Sequence, residues 1–309
     1  MKIAIFGSNS EIARDLIINF SKFAKYKLIL FSTNKLKVKN WLKKNNIKKT
    51  YKIEEYNNFF RYDDIQIIIN FIGVARPEDI IKIKSKIINI TDQFDKKIIQ
   101  YLKKNKTTKY IFISSGVVYC NFSKEPASSK RRIFYSRAKK GGKNWYLIAK
   151  LKAEKRHRNL KNLNITDLRV FNYFSHTQDF QNNFFISGII KSIIKKKLFL
   201  TSNQNFHRDY VSSKDFFKII KNLLKFNLDN QAIDCYTKSQ IDKFTILKLM
   251  HDKFGLKYKF QKTHLKKSPT SEKIFFYSKN YQAKKIRYSP TYSSKDNLII
   301  QTKKYLNKT

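Results

Sequence analysis

A tyrosine and a lysine at helical spacing, Tyr146 and Lys150, are the residues of this sequence that most directly suggest chemistry. In an α-helix, residues i and i+4 lie on one face, so the phenol and the ammonium group would be neighbours. A nearby cation stabilises phenolate and lowers the pKa of a phenol, which makes tyrosine usable as an acid or a base near neutral pH. Ser115 follows an apolar run over 110–113 that predicts a strand. Because open α/β sheets bind ligands at the carboxyl ends of their parallel strands, the three side chains predict a proton-transfer site.

The segment from Gly7 to Ala13 has the composition of a phosphate-binding loop that opens a helix. Small residues at such a place allow backbone N–H groups to approach the pyrophosphate of a dinucleotide. Gly7 meets the need for a tight turn, whereas Ser10 replaces the usual second glycine and Ala13 the third. Ser8 with Glu11 also fits a capping box, so an ordinary capped helix is the alternative. The residues predicted to contact the cofactor here are Gly7, Ser8, Asn9, Ser10, Glu11 and Ile12.

The end of the second predicted strand bears on the choice of cofactor. NAD-binding folds usually carry an acidic residue there, which binds the ribose hydroxyls of the adenosine. The sequence instead reads Ser32, Thr33, Asn34 and Lys35, without a carboxylate. Hydroxyls and a lysine could hold the 2′-phosphate of NADP, although a lysine carries little weight in a lysine-rich chain. The sequence thus predicts NAD or NADP as cofactor and favours NADP.

The elements that would position these residues alternate along the first half of the chain. Short apolar runs rich in β-branched residues predict strands at 3–6, 27–31, 65–71, 110–113 and 165–171. Helical periodicity predicts helices at 12–23, 87–102, 146–160, 184–196, 214–226 and 243–254, and 120–145 is predicted to be a loop-rich insertion. Strands this apolar on both faces are typical of a parallel sheet covered by helices. We therefore predict an α/β fold, a Rossmann-like doubly wound parallel sheet with a smaller C-terminal substrate-binding α/β region. The predicted domains are 1–172 and 173–309, with some crossing of the chain between them.

The charge of the chain is extreme: 66 Lys and Arg against 22 Asp and Glu give a formal net charge of +44 over 309 residues. Such a charge can indicate nucleic acid or another polyanion as partner. However, the lysines are spread along the sequence, and the joint excess of Lys, Ile, Asn, Phe and Tyr is typical of compositional drift. A hydrophobic content of 41% is enough for a large core and excludes a disordered basic protein.

Glycine is scarce, and its positions are informative. Of only seven glycines, Gly7, Gly73 and Gly116 lie at the ends of predicted strands, and the pair at 141–142 precedes Tyr146. Where glycine has been lost almost everywhere, the remaining ones indicate places where the backbone must approach a ligand.

The two cysteines lie far apart and exclude a disulfide framework or a four-cysteine zinc site, and the five histidines show no metal spacing. The apolar run before Gly7 is too short for the core of a signal peptide. The longest nearly apolar stretch, 65–75, is too short to span a membrane. We therefore expect a cytoplasmic protein without a bound metal or a membrane span.

Taken in order, several blocks of the sequence resemble the NAD-dependent epimerase/dehydratase family of the extended short-chain dehydrogenase/reductase superfamily. The blocks lie at 7–13, 70–73, 89–91, 114–119, 146–150, 168–172 and 208–211. The resemblance covers almost the whole chain, and it implies an enzyme that acts on a nucleotide-activated sugar with a nicotinamide cofactor.

The resemblance assigns roles to individual residues. Tyr146 would be the general acid/base at a sugar hydroxyl or keto oxygen, and Ser115 would hydrogen-bond that oxygen. Lys150 would bind the hydroxyls of the nicotinamide ribose and lower the pKa of Tyr146. The segment of Phe71, Ile72 and Gly73 would run alongside the cofactor, and Asn89 would support the site from a helix. Contacts with the substrate are expected from Ser115, Gly116, Asn172, His176 and Arg208.

Two departures from the family pattern narrow the chemistry. The 4,6-dehydratase branch carries an Asp-Glu pair directly after the active-site hydroxyl residue, where this chain has Gly116 and Val117. An epimerase or a keto-reductase is therefore favoured, with a role in surface polysaccharide synthesis and a homodimeric state as further expectations. The stretch 173–179 replaces the usual glycine-proline turn, which indicates a subgroup with its own substrate pocket.

A second hypothesis stays open at this point. The protein could be a redox-inactive member of the same fold that binds RNA or another polyanion through its basic surface. Ser10, Glu11 and the missing acid of the second strand all weaken the cofactor site and motivate this alternative. The combination of Ser115, Tyr146 and Lys150 argues against it, because a pure binding protein has no use for that set.

Overall fold

The computed structural model describes residues 1–73, 77–122, 124–131, 133–134, 144–261 and 273–307. Its strands are β1 (Lys2–Phe6), β2 (Lys27–Phe31), β3 (Lys52–Glu54), β4 (Ile67–Asn70), β5 (Lys109–Ser115), β6 (Ile165–Val170), β7 (Asn172–Tyr173), β8 (Phe199–Thr201), β9 (His207–Arg208), β10 (Tyr210–Val211), β11 (Gln231–Cys235), β12 (Ile241–Asp242), β13 (Tyr258–Phe260) and β14 (Phe275–Phe276). Its helices are α1 (Glu11–Ser21), α2 (Lys35–Lys44), α3 (Pro77–Ile83), α4 (Lys86–Lys104), α5 (Trp145–Arg158), α6 (Phe185–Ile194), α7 (Ser213–Lys225), α8 (Lys243–Phe254) and α9 (Ser294–Leu306).

A seven-stranded sheet with the order β11-β6-β5-β4-β1-β2-β3 forms the centre of the molecule, and all its strand pairs are parallel. The strand order reverses between β1 and β4, and a crevice for a ligand opens at such a switch point. The sheet confirms the predicted Rossmann-like α/β fold.

Helices cover both faces of this sheet. Side chains alternate between the two faces along each strand, so each strand contributes to a core on either side. Ile3 and Ile5 of β1 pack in one core with α1 and α7, whereas Ala4 and Phe6 pack in a second core with α4 and α5. The two faces are therefore both apolar, which explains the continuous apolar runs of the sequence.

The C-terminal part contributes both to this sheet and to a smaller unit. The edge strand β11 comes from beyond residue 172, and so does α7, which packs against α1. The shorter strands form small sheets with the orders β10-β7, β12-β9-β14 and β13-β8. Helices α6, α8 and α9 surround a separate apolar cluster.

Several elements were not predicted, and their burial explains why. Helix α2 buries only Val38 and Leu42, so its sequence lacks a clear apolar stripe. Strand β3 is three residues long and not fully buried, and β11 presents a mixed sequence. The insertion predicted at 120–145 lies partly outside the described residues, and the glycine pair at 141–142 lies entirely outside them.

No helix in the described ranges is long and apolar enough to cross a membrane. Within the same ranges, no group of three or more His, Cys, Asp or Glu side chains is placed to hold a metal ion.

A buried histidine links α5 to β6 and α4. His157 is fully buried; its Nδ1 lies 2.6 Å from Oδ1 of Asp167, and its Nε2 lies 2.8 Å from Oδ1 of Asp95. Both ring nitrogens thus face carboxylate oxygens, a geometry that requires the doubly protonated imidazolium ion. Burial alone would lower the pKa of His157, but the charges of Asp167 and Asp95 outweigh it and raise the pKa to about 10. His157 is therefore a structural cation.

Replacing His157 by glutamine should remove a pH-dependent part of the stability. A folded-state pKa raised from 6.5 to about 10 stabilises the fold fully below pH 6.5, and this stabilisation is lost as pH rises through 10. At pH 6 we expect His157→Gln to lower the free energy of unfolding by roughly 3 kcal/mol or more, the range for losing one partner of a buried ion pair. Urea unfolding of both proteins between pH 6 and 10 measures the effect. A stability difference that does not change with pH would contradict the charged state of His157.

Candidate active site

The three residues of the predicted proton-transfer site lie together. Tyr146 and Lys150 are on α5, whose first turn is capped by Asn144 through a 3.2 Å hydrogen bond from the Leu147 N–H. Ser115 ends β5, and its hydroxyl lies close enough to the Tyr146 phenol to lower the pKa of that phenol. The Nζ atom of Lys150 lies 5.7 Å from the centre of the Tyr146 ring.

Lys150 is held in an apolar and carbonyl-lined place. Its Nζ donates to the carbonyl oxygen of Ile113 at 2.7 Å and lies 4.4 Å from the centre of the Phe112 ring. Burial lowers the pKa of Lys150 to about 8, against the opposing charges of Glu154, Asp167 and Asp95. The amine is thus predominantly protonated at neutral pH but not far from its titration range.

The electrostatics of Tyr146 differ from the sequence-based expectation. Burial raises the pKa of Tyr146 above its ordinary value, and the hydrogen bond with Ser115 only partly opposes this. Lys150 is not among the groups that lower the pKa of Tyr146, and its Nζ donates to the Ile113 carbonyl. In this state Tyr146 is a neutral phenol.

The turn at Gly7 passes close to the end of β4. Gly7 has a φ of +74°, and a Cβ atom there would lie 3.1 Å from the carbonyl carbon of Phe71 and 3.2 Å from the nitrogen of Ile72. The Gly7 N–H donates to the hydroxyl of Tyr56 at 3.1 Å. Glycine is required here by both the conformation and the close approach of backbone.

The alternative prediction that Ser8 and Glu11 form a capping box at α1 is wrong. The helix is capped at Ser10, whose side chain makes no capping hydrogen bond, and the hydroxyl of Ser8 donates to the Phe31 carbonyl at 2.8 Å. Ser8 therefore ties the loop to β2, and neither Ser8 nor Ser10 supplies a side-chain acceptor to the N-terminus of α1.

Glu11 brings a carboxylate to the first turn of α1, where it faces the segment 173–179. Its oxygens accept from Nε2 of Gln178 at 3.2 Å and from the N–H of Asp179 at 3.3 Å. A carboxylate at a helix N-terminus is stabilised by the helix dipole. An incoming pyrophosphate would share this end of the helix with the Glu11 charge.

The end of β2 is filled by a small polar network. Ser32 is buried, and its hydroxyl accepts from Nδ2 of Asn9 at 2.7 Å and from the N–H of Asn34 at 3.0 Å. Asn34 caps α2. Lys35 lies 3.8 Å from a carboxylate oxygen of Glu55, which directly follows β3, and Thr33 is exposed. A carboxylate thus does reach this end of the sheet, but from a strand that was not predicted.

The loop after β4 lies next to Lys150. Asn70 holds it, accepting from the Ile72 N–H at 2.8 Å, and Phe71 and Ile72 are buried. Gly73 has a φ of +148°, and a Cβ atom there would lie 3.3 Å from Nζ of Lys150. The predicted cofactor residues at 71–73 therefore adjoin both the Gly7 turn and Lys150.

Gly116 lies directly against an aromatic ring. A Cβ atom on Gly116 would come within 2.4 Å of the Phe171 ring. Phe171 in turn packs with Phe122 and Phe276, whose ring centres lie 6.1 Å and 5.2 Å away. No side chain fits after Ser115 unless Phe171 moves.

The residues predicted to bind the substrate are placed by the C-terminal part of the chain. Arg208 is buried, and its guanidinium lies 4.3 Å from the Phe206 ring centre and donates to the carbonyls of His207 and Ile274. Burial lowers the pKa of Arg208 to about 10.

Asn172 and His176 have structural partners. Nδ2 of Asn172 donates to the carbonyl of Asp209 at 3.0 Å, which joins β7 to the start of β10. Nδ1 of His176 lies 2.7 Å from Oε1 of Gln301 on α9.

Asn89 is not brought to this site. Its side chain is exposed on α4 and lines a groove of about 510 Å³ between α4 and α5, together with Asp92, Lys152 and Lys155. The residues of α4 that face the sheet nearby are Ile87 and Thr91. Asn89 therefore lies on the outer side of the helix.

A buried polar network behind the site was missed by the sequence analysis. Glu154 binds Arg169, Arg169 donates to the hydroxyl of Tyr119 at 3.0 Å, and this hydroxyl donates to Asp234 at 3.0 Å. Ser278 also donates to Asp234, at 2.6 Å. Glu154 could have been noticed, because it follows Lys150 at the same helical spacing by which Lys150 follows Tyr146.

The residues present fit a nicotinamide dinucleotide. At Gly7 the backbone of the loop after β4 leaves no room for a side chain, and such a turn lets a dinucleotide pass close to the main chain. At Gly73 the nearest neighbour is the side chain of Lys150, which offers a cation at the other end of that path. The Glu11 carboxylate at the start of α1 is a departure from the usual dinucleotide-binding loop.

The sheet order and the glycine turn define a Rossmann-type fold. Residues 21–234 match the profile of the NAD dependent epimerase/dehydratase family, which is more than half of the chain. The protein therefore belongs to the NAD-dependent epimerase/dehydratase family. Among curated protein sequences, none matches the chain.

Solved structures share this fold over the full length of the chain. The UDP-glucose 4-epimerase from Thermotoga maritima with UDP-glucose has a TM-score of 0.79 at 16% identity, covering 100% of this chain and 99% of that one. The UDP-glucuronic acid 4-epimerase from Bacillus cereus with UDP-glucuronic acid and NAD has a TM-score of 0.77 at 18% identity, with the same coverage. The dTDP-glucose 4,6-dehydratase from Bacillus anthracis with NAD has a TM-score of 0.78 at 14% identity, covering 100% and 97%.

Adding one methyl group at Gly116 should destabilise the protein. We expect Gly116→Ala to lower the free energy of unfolding by about 1–3 kcal/mol, the cost of overpacking a core site, because the Phe171 ring must move. The double variant Gly116→Ala/Phe171→Leu, compared with Phe171→Leu alone, tests the cause. If the second change fails to reduce the cost of the first, the clash is not with Phe171.

Proposed function

We propose that the protein is an NAD-dependent epimerase or keto-reductase that acts on a nucleotide-activated sugar. The observation that carries the proposal is the cluster of Ser115, Tyr146 and Lys150 at the carboxyl end of β5, beside the Gly73 turn. A serine hydroxyl beside a neutral tyrosine, next to an ammonium group, provides the proton donor that a carbonyl–alcohol interconversion requires.

The chemistry divides between the cofactor and the chain. When bound, the nicotinamide ring takes or returns a hydride at a sugar carbon. In the direction of reduction, the Tyr146 phenol would give its proton to the carbonyl oxygen and become a phenolate. In the direction of oxidation, that phenolate would take the proton of the sugar hydroxyl, and in both directions Ser115 would hydrogen-bond the same oxygen. The Lys150 ammonium binds ribose hydroxyls and stabilises the Tyr146 phenolate once the proton has moved.

The environment of Gly116 supports this reaction over 4,6-dehydration. Elimination needs an acid and a base directly after the active-site hydroxyl residue. The Phe171 ring fills the space that a side chain at 116 would need, and Val117 is 4% exposed. Positions 116 and 117 thus offer neither an acid–base pair nor the room for one at 116, which supports an epimerase or a keto-reductase.

The substrate side offers positive charge for a diphosphate. Arg208 is a buried cation, and the nearby charge of Lys273 contributes to an electropositive environment around it. We propose that these residues bind the phosphates of the nucleotide sugar and that the Asn172–His176 region forms part of the sugar pocket. The homodimer, the cytoplasmic location and the role in surface polysaccharide synthesis stay predictions from the sequence.

We further propose NAD rather than NADP, which reverses the preference drawn from the sequence. The Ser32 hydroxyl is engaged with Asn9 and Asn34, and Lys35 is paired with Glu55. A 2′-phosphate placed here would meet the Glu55 carboxylate, and like charges at close range repel.

Removal of the single negative charge of Glu55 tests the choice of cofactor. We expect NAD to bind more tightly than NADP to the unmodified protein, and Glu55→Gln to tighten NADP binding about tenfold while NAD binding changes little, a difference of about 1.4 kcal/mol. Calorimetric titration with both dinucleotides measures it, and Glu78→Gln, which removes a carboxylate from α3, is the matched control. Tighter binding of NADP than of NAD by the unmodified protein would refute this choice.

The proton shuttle is tested at Tyr146. We expect Tyr146→Phe to lower kcat about 100-fold or more, the range for losing a general acid/base, while the dinucleotide still stabilises the fold in a thermal-shift assay. The assay follows epimerisation or reduction over a panel of nucleotide sugars. Full activity of the variant would refute the assignment, and salt-dependent RNA binding without dinucleotide binding would favour the polyanion-binding alternative.

A further inference from the structure

Three neighbouring residues of β5 contact three successive turns of α5. The Ser115 hydroxyl meets Tyr146, the Ile113 carbonyl accepts from Lys150 at 2.7 Å, and the Ser114 hydroxyl donates to Oε1 of Glu154 at 2.6 Å. Tyr146, Lys150 and Glu154 are spaced four residues apart, so they form one stripe along the helix. The reaction proposed above uses the first two contacts and leaves the third without a role.

Glu154 has fixed partners in the interior. It is fully buried, and its two oxygens accept from Nε and Nη2 of Arg169 at 3.0 Å and 2.6 Å. A bidentate guanidinium–carboxylate pair fixes both the distance and the plane of the two groups. Because Arg169 belongs to β6 and Ser114 to β5, Glu154 ties α5 to two adjacent strands.

We propose that Glu154 is a positioning residue: through Ser114 and Arg169 it holds α5 in register with β5, and its charge keeps Lys150 in the ammonium form. The role rests on the proposed function, because an ammonium ion at Lys150 is what the reaction needs next to Tyr146.

The charges around Lys150 explain why Glu154 matters most. Glu154 is the foremost of the carboxylates that oppose the effect of burial on the pKa of Lys150, followed by Asp167 of β6 and Asp95 of α4. The latter two share the His157 cation between them. The phenol of Tyr146 is uncharged, and the turn at Gly73 presents only backbone.

Loss of the Glu154 charge therefore acts on Lys150 in one direction. It removes the main carboxylate that supports the ammonium ion and leaves the Arg169 cation uncompensated on that side. Both changes favour the neutral amine and lower the pKa of Lys150 below its present value of about 8.

The test measures the titration of Lys150 without any substrate. In protein labelled with ¹³C-lysine, the Cε signal of Lys150 is identified by its loss in Lys150→Arg, and its shift is followed with pH. We expect the midpoint to fall by about one pH unit or more in Glu154→Gln. Glu154→Asp keeps the charge and should stay close to the unmodified protein. Asp215→Asn, which removes a buried carboxylate in the first turn of α7, outside this network, is the matched control and should leave the midpoint unchanged.

A second variant covers the case in which Glu154→Gln does not fold, since it leaves a guanidinium buried without its main partner. Glu154→Gln/Arg169→Met removes both charges together, and the midpoint of Lys150 should still lie below that of the unmodified protein. A midpoint that stays the same in the variant that folds would overturn the proposal and leave Glu154 a purely structural residue.

Activity gives an independent readout. In Glu154→Gln, the alkaline limb of the kcat profile should move to lower pH by the same amount as the Lys150 titration, with KM for the nucleotide sugar unchanged. An alkaline limb that stays at the same pH in Glu154→Gln would contradict the proposal. Full activity of Tyr146→Phe would refute the proposed function, yet the Lys150 titration would still decide the role of Glu154.

Discussion

The contact between α5 and the carboxyl end of β5 is the interaction on which the site depends. The strand is central in the sheet and buried, so its backbone is fixed by parallel neighbours on both sides. Lys150 donates to a β5 carbonyl, and this places the helix along the strand with its tyrosine over the terminal serine. A buried ammonium group is costly unless it finds an acceptor, so this hydrogen bond constrains how α5 packs on β5. The geometry of the candidate site thus depends on the hydrogen bond by which α5 pairs its buried lysine with β5.

The distribution of charge follows from the same requirement. A chain with a net charge of +44 has few carboxylates, yet several of them are fully buried, among them Asp95, Glu154, Asp167 and Asp234. Each is paired with a buried or partly buried cation or with hydroxyl donors around the site. Buried carboxylates are costly unless they are paired, so drift toward lysine could proceed at the surface but not at these positions. The interior keeps an ionic framework that the overall composition conceals.

The sequence predicted the parts whose signal is local. Strand β5, helix α5 and the triad of Ser115, Tyr146 and Lys150 come from apolar runs and from spacing within one helix, and the structure has them close to the predicted bounds. The parts that failed depend on non-local partners. Glu55 reaches the end of β2 only because the three-residue strand β3 pairs there, and no periodicity reveals so short a strand.

The face that a helix turns toward the sheet is equally hard to predict from the sequence. Asn89 matched a motif in the sequence, but the inner face of α4 is set by the pairing of Asp95 with His157 and by the apolar residues near it. A single asparagine carries no information about that rotation. The raised pKa of Tyr146 also escaped prediction, because burial is a property of the assembled site and not of the spacing between a phenol and an amine.

The segment 173–179 shows how a departure from a family pattern can be compensated. The hydroxyls of Tyr173 and Thr177 donate to the carboxylate of Asp15 at 2.5 Å and 2.6 Å, and Gln178 donates to Glu11. A glycine-proline turn has no side-chain donors and one fewer backbone N–H, so it could not satisfy two acids on α1. The acids on α1 and the polar residues at 173–179 are therefore matched to one another as acceptors and donors. These hydrogen bonds join α1, which follows the Gly7 turn, to the start of the C-terminal region.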